Sequence, residues 1–171
     1  MDIEEADKEK TGTENNLDFF FKPESIALIG ASPNPEKLSH TILKSLREMN
    51  FKGKIYPVNP GYEEIEGLKC YSAPGEINNR IDIAIFAIPA RAVLDTLKEP
   101  AGNIKGAVIV SSGFREMGPG GMKMEDELRD LLNEKGIRAM GPNCLDMCDT
   151  VSHGGLFFEH ETVSSASTQA I

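Results

Sequence analysis

Positive charge is scarce in this chain. Its 171 residues hold 18 lysines and arginines against 27 aspartates and glutamates, a formal net charge of −9. No basic stripe runs through it, which argues against a nucleic-acid or anionic-membrane surface. A small anionic ligand is still allowed, because it needs only a local pocket. Long apolar runs are also lacking: none approaches the roughly 20 residues that cross a bilayer, so no membrane partner is expected. The three cysteines are an odd number, and the N-terminus carries no signal-peptide pattern. A reducing, cytoplasmic setting is therefore expected. No Gly-x-Ser-x-Gly nucleophile elbow occurs. The dinucleotide fingerprint Gly-x-Gly-x-x-Gly is missing as well.

The residues that are present suffice for one domain. Some 40% of them are hydrophobic, enough for a substantial core at this length. Residues 1–16 stand apart, with six acids, two lysines and Ile3 as the one large apolar side chain besides Met1. They read as a solvated, disordered acidic tail. Residues 17–21 read as a turn of helix that packs its phenylalanines on the domain, ended by Pro23. Residues 25–30 form an apolar run without polar alternation, which suits a strand buried on both faces. Residues 36–49 read as a helix whose stripe is Leu38, Ile42, Leu43 and Leu46. Further strands are expected at 53–58, 82–88, 106–110 and 137–140, and helices at 90–98 and 122–135, the latter capped by Gly136. Residues 62–80 look irregular, with Cys70 a small semi-buried residue, and the glycine-rich 117–121 reads as a mobile loop. The alternation predicts an α/β fold: a Rossmann-like, doubly wound, mainly parallel five-stranded sheet with helices on both faces.

In such a sheet the strand C-termini share one edge, and ligands bind in the crevice there. Five turns meet at that edge: Gly30-Ala31-Ser32 with Asn34 beyond it, Val58-Asn59-Pro60, Ile88-Pro89, Ser111-Ser112-Gly113, and Gly141-Pro142-Asn143 followed by Cys144. They bring small residues, free N–H groups, hydroxyls and an amide, with almost no acid or base. The first turn leads into a helix N-terminus, a natural place for a phosphate. Lys37 lies in the expected first turn of that helix, where the dipole disfavours a cation. A bound anion would resolve the conflict, and an ordinary solvated lysine is the other reading. This chemistry binds a phosphorylated ligand and does not amount to a hydrolytic centre. A nicotinamide nucleotide is disfavoured, because Ser32 and Asn34 replace glycines and no acid ends the second strand. Cys144 with His153 could form a thiol pair, and Cys144, Cys148 and His153 could ligate a metal, but both readings are weak. A structural zinc site wants four ligands, and cysteines that merely line a ligand are commoner. No catalytic or metal-binding residue is assigned.

Four segments carry a resemblance in this order: residues 26–32 (IALIGAS), 55–60 (IYPVNP), 112–116 (SGFRE) and 141–145 (GPNCL). The stretch from about 17 to 145 resembles the N-terminal CoA-binding domain of the NDP-forming acyl-CoA synthetases, the group of the ADP-forming acetyl-CoA synthetase and succinyl-CoA synthetase α subunits. The resemblance implies CoA or acyl-CoA as the ligand. Gly30, Ala31, Ser32, Asn34 and Lys37 would face its phosphates, and Val58, Asn59 and Pro60 its adenosine. Ile88, Pro89, Ser111, Ser112 and Gly113 would line the pantetheine path. Asn143 and Cys144 would lie near the reaction chamber. It implies further a phosphohistidine in a following domain and an ATP-grasp partner that receives the phosphoryl group. The domain division expected is an acidic tail over 1–16, the CoA-binding domain over 17–146, and a divergent segment over 147–171 that stops before the second domain, so the chain would not be catalytic alone. Three departures stand out. Gly61 occupies a place where many relatives have lysine, so Lys37 or Lys54 would have to substitute. Ser39 and Asp146 stand where relatives usually have glycine, and Asp146 would disfavour acyl phosphate near the chamber. Neither His153 nor His160 matches the phosphohistidine context. The alternatives left open are an NAD(P)- or ADP-binding sensor or interaction module, and a non-functional truncated product.

Overall fold

The computed structural model describes residues 17–100, 104–144, 147–149 and 154–156, the last two segments as backbone only. The acidic tail, Leu145, Asp146, His153 and His160 lie outside the described residues. In chain order the elements are α1 (Asp18–Phe21), β1 (Ser25–Ile29), α2 (Leu38–Glu48), β2 (Lys54–Val58), β3 (Glu64–Ile65), β4 (Leu68–Lys69), β5 (Ile81–Phe86), α3 (Ala90–Lys98), β6 (Ile104–Ile109), α4 (Pro119–Glu134), β7 (Arg138–Met140), β8 (Met147–Asp149) and β9 (Gly154–Leu156).

Five strands form one sheet in the order β2-β1-β5-β6-β7, parallel throughout. The chain runs outward from β1 to β2, then crosses back to β5 on the other side of β1. That reversal makes the β1–β5 boundary the topological switch point, where open α/β sheets leave a crevice. All five residues of β1 are buried, as the unalternated apolar run demands. Ile26 and Leu28 face the side covered by α1 and α2, while Ala27 and Ile29 face α3 and α4. Ile42, Leu43 and Leu46 of α2 and Val93, Leu94 and Leu97 of α3 are fully buried. Each such side chain contributes roughly 1.5–3 kcal/mol by leaving water.

The α1 turn behaves as its aromatic composition suggests. Phe19 and Phe20 are buried, with ring centroids 4.4 Å apart. They press on Gly106 of β6, where a Cβ would come within 2.4 Å of Phe19 Cε2. Lys105 Nζ lies 4.1 Å from the Phe19 ring centroid.

Four details differ from the sequence expectations. First, α2 begins at Leu38, not at residue 36; Lys37 is its extended N-cap residue. Leu38 consequently leaves the core stripe and is 37% exposed. Second, residues 62–80 are more regular than expected. Ile65 pairs with Leu68 across Glu66 (φ 50) and Gly67 (φ 78), two left-handed residues of the kind a tight hairpin needs. Tyr71 then bridges to Val58 in parallel. Third, residues 117–121 belong to structured turns. Arg115–Met117 is a 3-10 turn, and Pro119 is placed at the start of α4, where its missing N–H costs nothing. Gly121 is pressed so close that a Cβ would lie 1.8 Å from the Phe114 carbonyl oxygen. Fourth, Cys70 is buried, and burial pushes its thiol pKa up.

Candidate functional site

All five strand-end turns lie at one edge of the sheet, because every strand is parallel. The first is made by Gly30, whose φ is 88. Its N–H and that of Ala31 both donate to the Val58 carbonyl, at 2.9 and 3.3 Å. These two donors are therefore consumed in tying β1 to β2, and are not free for a phosphate as the turn alone suggests. Ser32 Oγ accepts from Asn34 N–H at 3.1 Å, and Asn34 Oδ1 accepts from Glu36 N–H at 3.0 Å. The N–H of Lys37 donates to the Asn34 carbonyl at 3.0 Å. The next two amides, those of Leu38 and Ser39, donate to no described residue. They open α2, so the positive end of its dipole and two N–H groups converge there.

Asn59 is the brace of the second turn. Its backbone N–H donates to the Tyr71 carbonyl at 2.8 Å. Its Nδ2 donates to the Ala31 carbonyl at 2.7 Å, and its Oδ1 accepts from Gly61 N–H at 2.9 Å. The remaining turns interlock similarly. Ala87 N–H donates to the Ile29 carbonyl at 2.9 Å, and Val110 N–H to the Phe86 carbonyl at 3.2 Å. The Ser111 hydroxyl lies 3.3 Å from the Phe86 carbonyl and closer still to that of Ile88. Gly113 and Phe114 both donate their N–H to the Glu116 carboxylate, which holds that carboxyl below the usual glutamate range. Asn143 N–H donates to the Ser111 carbonyl at 3.1 Å and Cys144 N–H to that of Ile109 at 3.2 Å.

Two adjoining hollows open at this edge and share Gly30, Asn59 and Ile88 as their common floor. The first, of about 620 Å³, is lined also by Ser32, Lys37, Pro89, Ser111 and Ser112. It adds Leu38, Ser39, Tyr62, Ala87 and Val110, which sequence reasoning does not select. The second, of about 490 Å³, is lined also by Ile29, Val58 and Pro60, with Ser72, Ala73, Pro74, Asp95, Thr96, Glu99 and Pro100 as additions. Ala31, Asn34, Gly113, Asn143 and Cys144 stand behind these walls and do not line either hollow. The added residues come from the α3 C-terminal half and from 72–74, which only tertiary packing brings to the edge. An exposed leucine and tyrosine at the rim, Leu38 and Tyr62, are the one sequence-visible sign, as apolar groups without a core to join.

Lys54 is not at this edge. It opens β2 and lines a hollow of about 640 Å³ at the opposite end of the sheet, with Lys52, Arg80 and Asp82. It cannot stand in for a lysine at position 61. Lys37, exposed at the α2 N-terminus, is the one cationic side chain lining either crevice hollow. Among the described residues, no histidine lines either hollow; His40 instead lies 3.4 Å from Glu66 on the outer face of α2.

An open, doubly wound α/β domain with a two-chambered crevice at its switch point is a small-molecule-binding domain of the nucleotide type. Comparison with known proteins narrows this class. Residues 24–149 match the CoA binding domain model, and the chain belongs to that family. Acetate–CoA ligase [ADP-forming] II subunit alpha of Pyrococcus furiosus is 42% identical over 135 residues, which are 78% of this chain and 29% of that protein. Acetate–CoA ligase [ADP-forming] I of Archaeoglobus fulgidus is also 42% identical over 135 residues, but only 19% of its length is covered. Among solved structures, a dinucleotide forming acetyl-coenzyme A synthetase of Ca. Korarchaeum cryptofilum, in complex with phosphate and ADP, superposes with a TM-score of 0.76 at 35% identity, over 85% of this chain and 31% of that one. A conserved hypothetical protein of Pyrococcus furiosus is 34% identical with a TM-score of 0.54, over 69% of this chain and 93% of that one. The chain is thus a CoA-binding domain resembling the N-terminal part of ADP-forming acyl-CoA synthetases, and it spans under a third of the curated ligases named above.

Proposed function

We propose that this chain binds CoA or an acyl-CoA across the two hollows and serves as the CoA-holding part of an ADP-forming acid–CoA ligase. The observation that carries the reading is the shared floor of Gly30, Asn59 and Ile88, which joins a polar, phosphate-ready hollow to a more apolar one. The Leu38 and Ser39 amides, with Lys37, would hold the diphosphate. Val58, Asn59 and Pro60 would border the adenosine. Pantetheine would leave past Ile88, Pro89, Ser111 and Ser112, towards Asn143 and Cys144. The groups at the crevice bind and orient; none of the described ones is placed to carry a phosphoryl group. The complete reaction, acyl-CoA with ADP and phosphate giving acid, CoA and ATP, would need a phosphohistidine and an ATP-grasp partner domain or subunit. The domain division accords with the same reading, with the binding unit over 17–146.

The test is calorimetric titration with CoA, acetyl-CoA, NAD and ADP in parallel, with thermal melting alongside. At a hundredfold excess over Kd, CoA should stabilise the fold by about 2.7 kcal/mol, seen as a rise of several degrees in Tm. Tighter binding of NAD or ADP than of CoA would replace this reading with a nucleotide-sensor one.

A further inference from the structure

We propose that the crevice takes its ligand without using the ribose 3′-phosphate, so that CoA and dephospho-CoA are equivalent ligands. This rests on the reading of the crevice as a CoA site and extends it to the part of the ligand that distinguishes the two molecules. The second hollow has apolar walls suited to an adenine ring, including Val58, Pro60, Pro74 and Ile88. Its charged lining consists of two carboxylates, Asp95 and Glu99, and no cation. Carboxylates accept hydrogen bonds from ribose hydroxyls, the use an acid has at the ribose of dinucleotide sites. They repel a phosphate placed beside them.

No nearby cation reverses that balance. Arg91 Nε lies 3.4 Å from Asp95 and does not line the hollow. Lys98 is engaged with Glu127 of α4 at 2.6 Å. Lys69 stands over the Tyr71 ring, 4.8 Å from its centroid. Lys37 lines the other hollow. Gly61, just past the Asn59 brace, offers no side chain at all. A 3′-phosphate on a ribose seated here gains no ion pair and projects towards solvent beside two acids.

The experiment titrates the full chain with CoA and with dephospho-CoA at low salt, where charge effects are largest. The expected result is two dissociation constants within about threefold of each other, since no charge-assisted contact separates them. A CoA affinity tenfold or more above that of dephospho-CoA would overturn the proposal. The charge reversal Glu99→Lys, at an exposed position, supplies the missing cation. It should tighten CoA by about fivefold and leave dephospho-CoA within about twofold. Asp95→Asn, which only removes a repelling charge, should move CoA in the same direction by less. Equal responses of both ligands to Glu99→Lys would also overturn the proposal. Failure of both ligands to bind would instead remove the CoA reading of the crevice, and this proposal with it.

Discussion

Gly30 has no room for a side chain. A Cβ there would lie 2.4 Å from Ile88 Cγ2 and 2.7 Å from the Ala87 carbonyl oxygen, at a φ of 88 that disfavours any other residue. Gly30→Ala should cost about 2–4 kcal/mol from strain and clash together, read as a lower urea midpoint with an unchanged slope. Asn59 is as exacting for another reason. Replacing its amide by a carboxylate removes the donor to Ala31 and sets a charge against that carbonyl, so Asn59→Asp should lose about 1–3 kcal/mol of stability before any ligand is added. Weakened CoA binding by that variant would then mix two causes. Lys37→Ala separates them, because the side chain is exposed and holds no other described element in place. It should weaken CoA by about three- to tenfold and leave the urea midpoint within experimental error. At this scale the sequence is informative about which residues are small and which are polar. It is silent on which N–H groups are already spent, because the Gly30 and Ala31 donors are claimed by the Val58 carbonyl, remote from them in the chain.

The elements legible in the sequence are those that bury a complete pattern. β1, β5 and α3 have apolar positions that all find a neighbour, so composition and period suffice. The start of α4 is not legible because its glycines pack against Phe114 instead of loosening the chain, and only Pro119 announces the helix. The wall built by α3 at Asp95, Thr96 and Glu99 is hidden too, since those residues sit on the polar side of an ordinary amphipathic helix. Two elements lend themselves to measurement. Phe20, buried on the sheet face that Gly106 opens, anchors α1, and Phe20→Ala should cost about 3–5 kcal/mol in urea unfolding. The turn from Gly113 to Phe114 is held by the Glu116 carboxylate, whose pKa is lowered chiefly by the Gly113 N–H. Its contribution is therefore present in full above the ordinary glutamate range and is lost as pH falls through the lower folded value. Melting curves across acidic pH should show that decline in the native chain, and a flatter decline in Glu116→Gln.

The parallel sheet, its order and its helix-covered faces arise from alternating segments of the right length, and the whole molecule is legible to that extent. The location of the crevice is legible as well, since the switch point is a property of topology. Its extent is not: the fifth turn, 141–143, closes the sheet edge without lining either hollow. With no histidine among the described residues of the crevice, the purified chain mixed with acetyl-CoA, ADP and phosphate should form no ATP above background in a coupled assay. ATP formed by the chain alone would contradict the proposed division of labour. Every residue that lines the two hollows falls in the stretch from Ile29 to Ser112. On a ribosome, the ligand's walls would thus all have been synthesised before α4 begins. The C-terminal remainder can change length, charge or attachment without redrawing those walls, which leaves it free to determine what is done to a ligand that the earlier part already holds.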